Sequence, residues 1–220
     1  MRISNLVLPL LCMIVALPAR VAATPAEIAQ ETVRPIARDQ GALQFWWLPP
    51  EYWTGGAREL DWSDDAVEEF ASRMRNYLVL GVIDAHVEAA KIHFGEHVEI
   101  ADRITLLRNG TELPALRRID PLLVQKIPDL AYFLRVAAGP FAPGIRFFFF
   151  SNVDDDGKTV LTGADRGTLR LRYRESPSAE PLEVWWHGPL TAVAGKQRCS
   201  DGAPAEASWR FCPWTGEKLR

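Results

Sequence analysis

Four consecutive phenylalanines, Phe147 to Phe150, constrain the fold of this chain more than any other feature. Neighbouring side chains on a β-strand point to opposite faces, so two rings lie on each face and both faces must be covered. Leaving two rings in water would forgo roughly 1.5–3 kcal/mol for each ring and would create an adhesive patch. The run therefore predicts an inner strand with all four rings mostly buried. The segment 121–138 or a helix over 63–75 is expected to cover the face that points away from the rest of the sheet.

The remaining patterns favour strands over helices. Alternating or continuous apolar residues predict strands at 43–48, 77–83, 169–173 and 182–187. Asn109-Gly110 between two apolar runs predicts a tight hairpin, and alternation over Ile92–Ile100 around Gly95 predicts a hairpin or a bent strand. Ser63 and Asp120 are expected to cap helices, with Pro128 and Gly139-Pro140 as later breaks. The predicted fold class is α+β, mainly an antiparallel β-sheet or sandwich with two or three helices packed on it.

The N-terminus has the pattern of a secretory signal. Arg2 precedes an apolar run of 12 residues, Leu6–Leu17, and Val21-Ala22-Ala23 supplies small residues for cleavage. Such a run falls short of the roughly 20 residues that span a bilayer, although an anchor that is never cleaved is the alternative. We therefore expect a signal peptide over 1–23, no transmembrane segment after its removal, and an exported protein that is periplasmic or secreted.

Composition and cysteine count bound the mature chain. Loss of residues 1–23 removes two arginines and no acidic residue, which changes the formal net charge from −3 to −5. This acidity gives no general basis for binding nucleic acid. We expect a polar, partly disordered leader over 24–41, a β-rich globular domain over 42–190 and a disulfide-stapled appendage over 191–220. In an oxidising compartment the two mature cysteines, Cys199 and Cys212, most simply form one disulfide.

The tail also resembles a degenerate zinc ribbon. Cys199-Ser200-Asp201-Gly202 and Cys212-Pro213-Trp214-Thr215 look like two zinc knuckles in which Gly202 and Thr215 stand where the second cysteines would be. Two thiolates do not complete a tetrahedral zinc site, so a disulfide is preferred over zinc.

Both ends of the chain resemble a group of uncharacterised exported bacterial proteins. The shared features are an aromatic N-terminal strand, here Phe45-Trp46-Trp47-Leu48, and a tail of the type W-x-x-CP-x-x-G, here Trp209 to Gly216. The resemblance covers only the ends and implies no known activity.

Three short patterns are candidates for chemistry. His93-Phe94-Gly95-Glu96-His97 spells H-x-x-E-H, but its flanks alternate as a strand does, so two surface histidines are expected rather than a zinc-peptidase helix. Asp84-Ala85-His86 resembles the opening motif of metallophosphoesterases, whose later motifs are missing; an acid–base pair or a satisfied polar pair are the alternatives. Asn152, Asp154 and Asp156 before Gly157 imitate the first half of a calcium loop, although Gly163 stands where the closing glutamate should be. Weak calcium binding by these three residues and a solvated acidic turn are the alternatives.

Aromatic and basic residues suggest a binding surface. The pairs Trp46-Trp47 and Trp185-Trp186 each send one ring to either face of a strand, so either a helix covers the second face or an indole is exposed to bind sugars or a protein. Arg170, Arg172 and Arg174, at alternate positions, form a basic stripe that suits an anionic polymer or pairs with Glu183.

The leading hypothesis is an exported, non-catalytic cell-envelope or secreted module that binds a protein or an envelope polymer through a β-sheet or Trp-rich surface. The alternative is a metal-dependent hydrolase of the cell envelope that uses some of Asp84, His86, Asp154 and Asp156.

Overall fold

The core of the structure consists of two antiparallel sheets, one of them also covered by helices. The computed structural model describes residues 23–219, so the predicted signal peptide lies outside the described residues except for Ala23. The α-helices are α1 (Pro25–Thr32), α2 (Pro50–Glu59), α3 (Asp64–Met74), α4 (His97–Arg103), α5 (Pro121–Leu130), α6 (Tyr132–Ala138) and α7 (Thr191–Ala194). The strands are β1 (Val33–Ile36), β2 (Ala42–Leu48), β3 (Tyr77–Glu88), β4 (Lys91–Phe94), β5 (Ile104–Arg108), β6 (Thr111–Leu113), β7 (Arg146–Ser151), β8 (Gly167–Tyr173), β9 (Leu182–Gly188), β10 (Gln197–Arg198) and β11 (Pro204–Ala205).

The first sheet is organised around the long strand β3. β1 and β2 continue the sheet from one edge of β3. The other edge carries β7 opposite the first half of β3 and β4 opposite its last residues. The second sheet has the order β6-β5-β8-β9, and a two-stranded sheet, β10-β11, lies in the tail. This arrangement confirms an α+β fold with antiparallel sheets.

The first sheet is buried on both faces. On one face, Phe45 packs against Tyr173 of the second sheet, with ring centroids 5.4 Å apart. On the other face, Trp53 of α2 packs edge-on against Phe147 at 5.8 Å and donates its indole N–H to the carbonyl of Leu48. The layers are therefore helices, the first sheet and the second sheet. Because both faces of β2 are covered, Trp46 and Trp47 are both buried.

The phenylalanine run follows the prediction in burial but not in position. Phe148 and Phe150 are buried, and Phe147 and Phe149 are partly buried against the helical layer. β7 is nevertheless an edge strand, so the prediction of an inner strand is wrong. Beyond β7 the described residues add an isolated bridge from Ala115 to Phe150, a hydrogen bond from the N–H of Leu116, and a contact of the His97 ring with the Phe147 carbonyl. Short contacts of this kind protect the edge without adding a full strand.

Local capping signals in the sequence form as predicted. The Ser63 side chain accepts from the N–H of Ala66 at the start of α3, and Asp120 accepts from Leu122 at the start of α5. Asn109 and Gly110 both have positive φ and join β5 to β6.

Three other expectations differ from the structure. Residues 92–100 are not a continuous hairpin or bent strand: β4 ends at Phe94 and α4 begins at His97. The segment 24–41 is not a disordered leader. It contains α1, which begins at a capping box formed by Thr24 and places the fully buried Ile28 in the core. The described residues also form seven α-helices where two or three are expected.

The tail has a small core of its own. Cys199 and Cys212 form the predicted disulfide, and with Ala205 and Leu219 they make up this second cluster of buried side chains. The carboxylate of Glu31 accepts from the first N–H groups of α7 and so attaches the start of the tail to the main body. Within residues 23–219, no helix combines the length and apolar character needed to cross a bilayer.

Candidate functional site

The outer face of the second sheet carries an exposed indole in a fixed orientation. On β8, Leu169, Leu171 and Tyr173 point inward, as predicted. The neighbouring strand β9 places Trp186 inward, fully buried, and Trp185 outward with 41% of its surface exposed. The ambiguity of this tryptophan pair is therefore resolved with one ring in the core and one on the surface.

Trp185 is held by the groups around it. The guanidinium of Arg170 lies 4.9 Å from the centre of the indole, within the range of a cation–π contact. The ring of His187, two residues further along the strand, is nearly parallel to the indole, with an interplanar angle of 10° and centroids 6.2 Å apart. We call the rings of Trp185 and His187 the aromatic platform. It presents two nearly parallel rings on the exposed face of the sheet.

The basic stripe beside the platform is partly neutralised. Arg170 and Arg172 both lie within ion-pair distance of Glu183 on β9, at 3.4 Å and 3.2 Å. Ion pairs with this much solvent contact contribute little to stability, so their main effect is to order the two arginines beside Trp185. Arg174 lies beyond the pair, at the exposed end of the stripe.

A groove of about 450 Å³ extends from the platform toward the tail. His187 belongs to the platform and also lines the groove, together with Thr168 on the neighbouring strand. The opposite wall comes from the tail, where Trp209 and Arg210 line the groove. We call this space the tail groove; its volume is in the range typical of small-ligand sites.

The tail groove is positively charged. Arg166 and Arg210 line it, and a second hollow adds Lys218 next to the same two arginines. Among the described residues these three cations have no ion-pair partner, and no carboxylate lines either hollow. A local cluster of unpaired cations contrasts with a chain whose net charge is −3.

Asp84 and His86 lie together at the far end of β3, but Asp84 is fully engaged. Its carboxylate is 1% exposed and accepts from Arg38 at 2.5 Å and from the Tyr173 hydroxyl at 2.6 Å, and Arg103 lies 3.3 Å away. Burial by itself raises the pKa of Asp84, but the hydrogen bonds from Tyr173 and Arg38 outweigh burial and hold the pKa below its ordinary value. A buried, ionised carboxylate with these partners joins the two sheets and is poorly placed to accept a proton from a substrate.

His86 completes this end of the sheet. Its Nε2 lies 3.5 Å from the Asp84 carboxylate, and its cross-strand partner on β4 is His93. His97 is in another element, at the start of α4, where its ring stacks on Phe148. The two histidines of the H-x-x-E-H pattern therefore lie on a strand and on a helix and not on one helical face. Within residues 23–219, no group of three or more His, Cys, Asp or Glu side chains is arranged to hold a metal ion.

The loop proposed for calcium lies at the opposite end of β3. Tyr77 pairs with Ser151, and Asp84 is seven residues further along the strand, or about 23 Å at roughly 3.3 Å per residue. The structure therefore does not bring Asp154 and Asp156 to Asp84.

Within the loop, the side chains are used for internal hydrogen bonds. Asn152 is fully buried; its amide nitrogen donates to the carbonyls of Arg75 and Leu161, and its oxygen accepts from the N–H of Leu161. Asp154 accepts from the N–H groups of Asp156 and Lys158, as in an ordinary turn. The Asn152 oxygen points into the protein, so calcium binding here stays a prediction in which Asn152 takes no part.

The tail groove is the part of the site that local sequence patterns do not reveal. It combines residues near 109, 166–168, 187–188 and 208–210, and only tertiary structure brings these segments together. The available sequence signals, the Trp185-Trp186 pair and the basic stripe, indicate the neighbouring part of the sheet face and not the residues that line the groove.

Comparisons with protein-family models, curated proteins and solved structures find no match to this chain.

Proposed function

We propose that this chain is an exported binding module without catalytic activity, which holds an envelope polymer or protein on the outer face of its second sheet. The observation that carries the proposal is Trp185, an indole that is 41% exposed and is oriented by contacts with Arg170 and His187. Residues of this kind are typical of the centre of an interface.

An ordered, exposed indole favours binding for two physical reasons. Covering its remaining apolar surface removes that surface from water, which is favourable. Because Arg170 and His187 already restrict the ring, little side-chain freedom is lost when a ligand stacks on it.

The export part of the proposal is supported by two independent features. The N-terminal segment has the pattern of a cleavable signal, and Cys199 and Cys212 form a disulfide of the sort that persists in oxidising compartments.

The alternative, a metal-dependent hydrolase, has less support. Its candidate residues fall into two groups at opposite ends of β3. The buried carboxylate of Asp84 already accepts hydrogen bonds from Arg38 and Tyr173. Only the proximity of His86 to Asp84, 3.5 Å, favours it.

The proposal is tested with isolated cell-envelope material and purified mature protein in a co-sedimentation assay. We expect Trp185→Ala to lose most of the binding, because the variant removes the platform. Tyr132→Ala is the matched control, since Tyr132 is an aromatic residue with 58% exposure on α6, in the helical layer. Equal binding by the wild type and Trp185→Ala would rule out this surface.

A further inference from the structure

We infer that the ligand is a carboxylate-bearing polysaccharide, a polyuronate, whose sugar rings stack on the aromatic platform while a carboxylate enters the tail groove. This inference rests on the proposed function and adds the chemical class of the ligand.

The platform and the tail groove form one continuous site. The ring of His187 lies nearly parallel to that of Trp185, 6.2 Å away, and His187 also lines the groove. A linear ligand lying along β9 would therefore contact two nearly parallel rings in succession and then pass between the sheet and Trp209. The apolar face of an aromatic ring suits the apolar C–H face of a pyranose ring, so consecutive sugars of a linear chain can contact the two rings.

The positive charge of the groove favours acidic sugars over neutral ones. Arg166 and Arg210 come from separate segments, a loop before β8 and the tail, and Lys218 lies next to both. None of the three has an ion-pair partner among the residues described here, whereas Arg170 and Arg172 share Glu183. Unpaired guanidinium groups that face a groove are suited to binding a carboxylate through two hydrogen bonds.

The neutral part of the lining suits hydroxyl groups. Thr168 and Ser208 line the same groove as the two arginines. Their hydroxyls donate and accept, so they can pair with sugar hydroxyls in either direction.

A polyuronate satisfies both halves of the site. It supplies a pyranose ring for stacking and a carboxylate for the cations in each repeat. A neutral glucan supplies only the rings, and a linear polyphosphate supplies only the charge. We therefore expect a neutral glucan and a linear polyphosphate each to bind less tightly than a polyuronate.

The test is calorimetric titration of the mature protein with three probes: a hexauronate from alginate, cellohexaose and linear polyphosphate. We expect the hexauronate to bind at least about tenfold more tightly than either of the other probes, with an affinity that falls as salt is added. Arg166→Gln with Arg210→Gln should lower hexauronate affinity about tenfold and remove most of the salt dependence, while cellohexaose binding is unchanged. Lys218→Gln provides a second, single-site variant with a smaller loss in the same direction.

Arg174→Gln is the matched control, because it removes the same charge just beyond the other end of β8. It should leave the affinity for hexauronate within about twofold of the wild type.

Three results would overturn the inference. Polyphosphate binding as tight as that of hexauronate would indicate a general anion site, and cellohexaose binding as tight would indicate a neutral sugar site. Absence of hexauronate binding, with envelope binding that still depends on Trp185, would reject the polyuronate and leave the proposed function standing. If envelope binding does not depend on Trp185, the proposed function fails as well.

Discussion

Replacing Asp84 with Asn is expected to lower the free energy of unfolding at neutral pH by about 3–5 kcal/mol, the usual effect of breaking a buried ion pair on one side. The carboxylate is 1% exposed, and it contacts Arg38 and Tyr173 at 2.5 Å and 2.6 Å. An amide keeps the shape of the side chain but removes the charge, so Arg38, only 10% exposed, loses its buried counter-ion. Since Asp84 is on β3 and Tyr173 on β8, the substitution also weakens the contact between the two sheets.

The pH dependence follows from the lowered pKa of Asp84. In the unfolded chain the carboxyl has an ordinary pKa of about 3.9, whereas in the folded protein it stays ionised to lower pH. The stabilising effect of Asp84 is therefore fully present above about pH 5 and is lost as pH falls through the folded pKa. The difference in stability between the wild type and Asp84→Asn should be constant near neutral pH and should shrink below about pH 4.

The assay is urea unfolding followed by circular dichroism at a series of pH values. Asp39→Asn is the matched control, since Asp39 is an exposed carboxylate close to Arg38 in the chain, and it should change stability by less than about 0.5 kcal/mol. The reasoning would be refuted by a loss below about 1 kcal/mol for Asp84→Asn, the value of an exposed ion pair. A difference that does not shrink in acid would refute the electrostatic explanation.

Three further predictions concern other parts of the structure. Asn152→Ala should lower the free energy of unfolding by about 2–4 kcal/mol, because a fully buried side chain loses three hydrogen bonds. Urea unfolding should give the same loss in calcium and in chelator; a loss seen only with calcium would restore the amide as a ligand. Alkylation of the denatured, unreduced protein should label neither Cys199 nor Cys212, and mass spectrometry that finds two labelled thiols would disprove the disulfide. Gly110→Ala should lower the free energy of unfolding by about 1 kcal/mol, because φ at this turn residue is +90°. An added Cβ would meet no neighbouring atom, so backbone strain alone is tested, and an unchanged melting temperature would contradict the argument.

Strand positions could be predicted from the sequence wherever one or both faces are buried. Alternation placed Leu169 and Tyr173 inward, and the run of phenylalanines required cover on both sides of β7. The sequence could not say which element supplies that cover. Phe147 contacts Trp53 of α2, and α2 has no clear helical signal because Gly55 and Gly56 lie in its middle.

Those glycines are explained by packing rather than by propensity. A Cβ on Gly55 would lie 3.2 Å from the ring of Pro25, so the small residue allows α1 and α2 to approach closely. Tertiary contacts of this kind override local preference and are invisible in a single sequence.

The candidate site was predictable only in part. Each pair of adjacent tryptophans, Trp46-Trp47 and Trp185-Trp186, implied either one exposed indole or a second covering layer. The structure has a covering layer at the first pair and an exposed indole at the second. Trp46 is covered by helices, whereas Trp185 lies on the outer face of the second sheet. The tail groove needed the folded chain, because Arg166 and Arg210 are far apart in sequence and meet only when the tail folds against the sheet.

The most direct test of the central claim is oxidative footprinting of the mature protein, read out by mass spectrometry, with and without saturating envelope polymer. We predict that oxidation of Trp185 falls at least about fivefold when the polymer is bound, because a stacked ligand covers the exposed part of its ring. Tyr132, on the helical layer, should be oxidised equally in both samples. Undiminished oxidation of Trp185 in the bound protein would contradict the assignment of the outer sheet face as the binding surface.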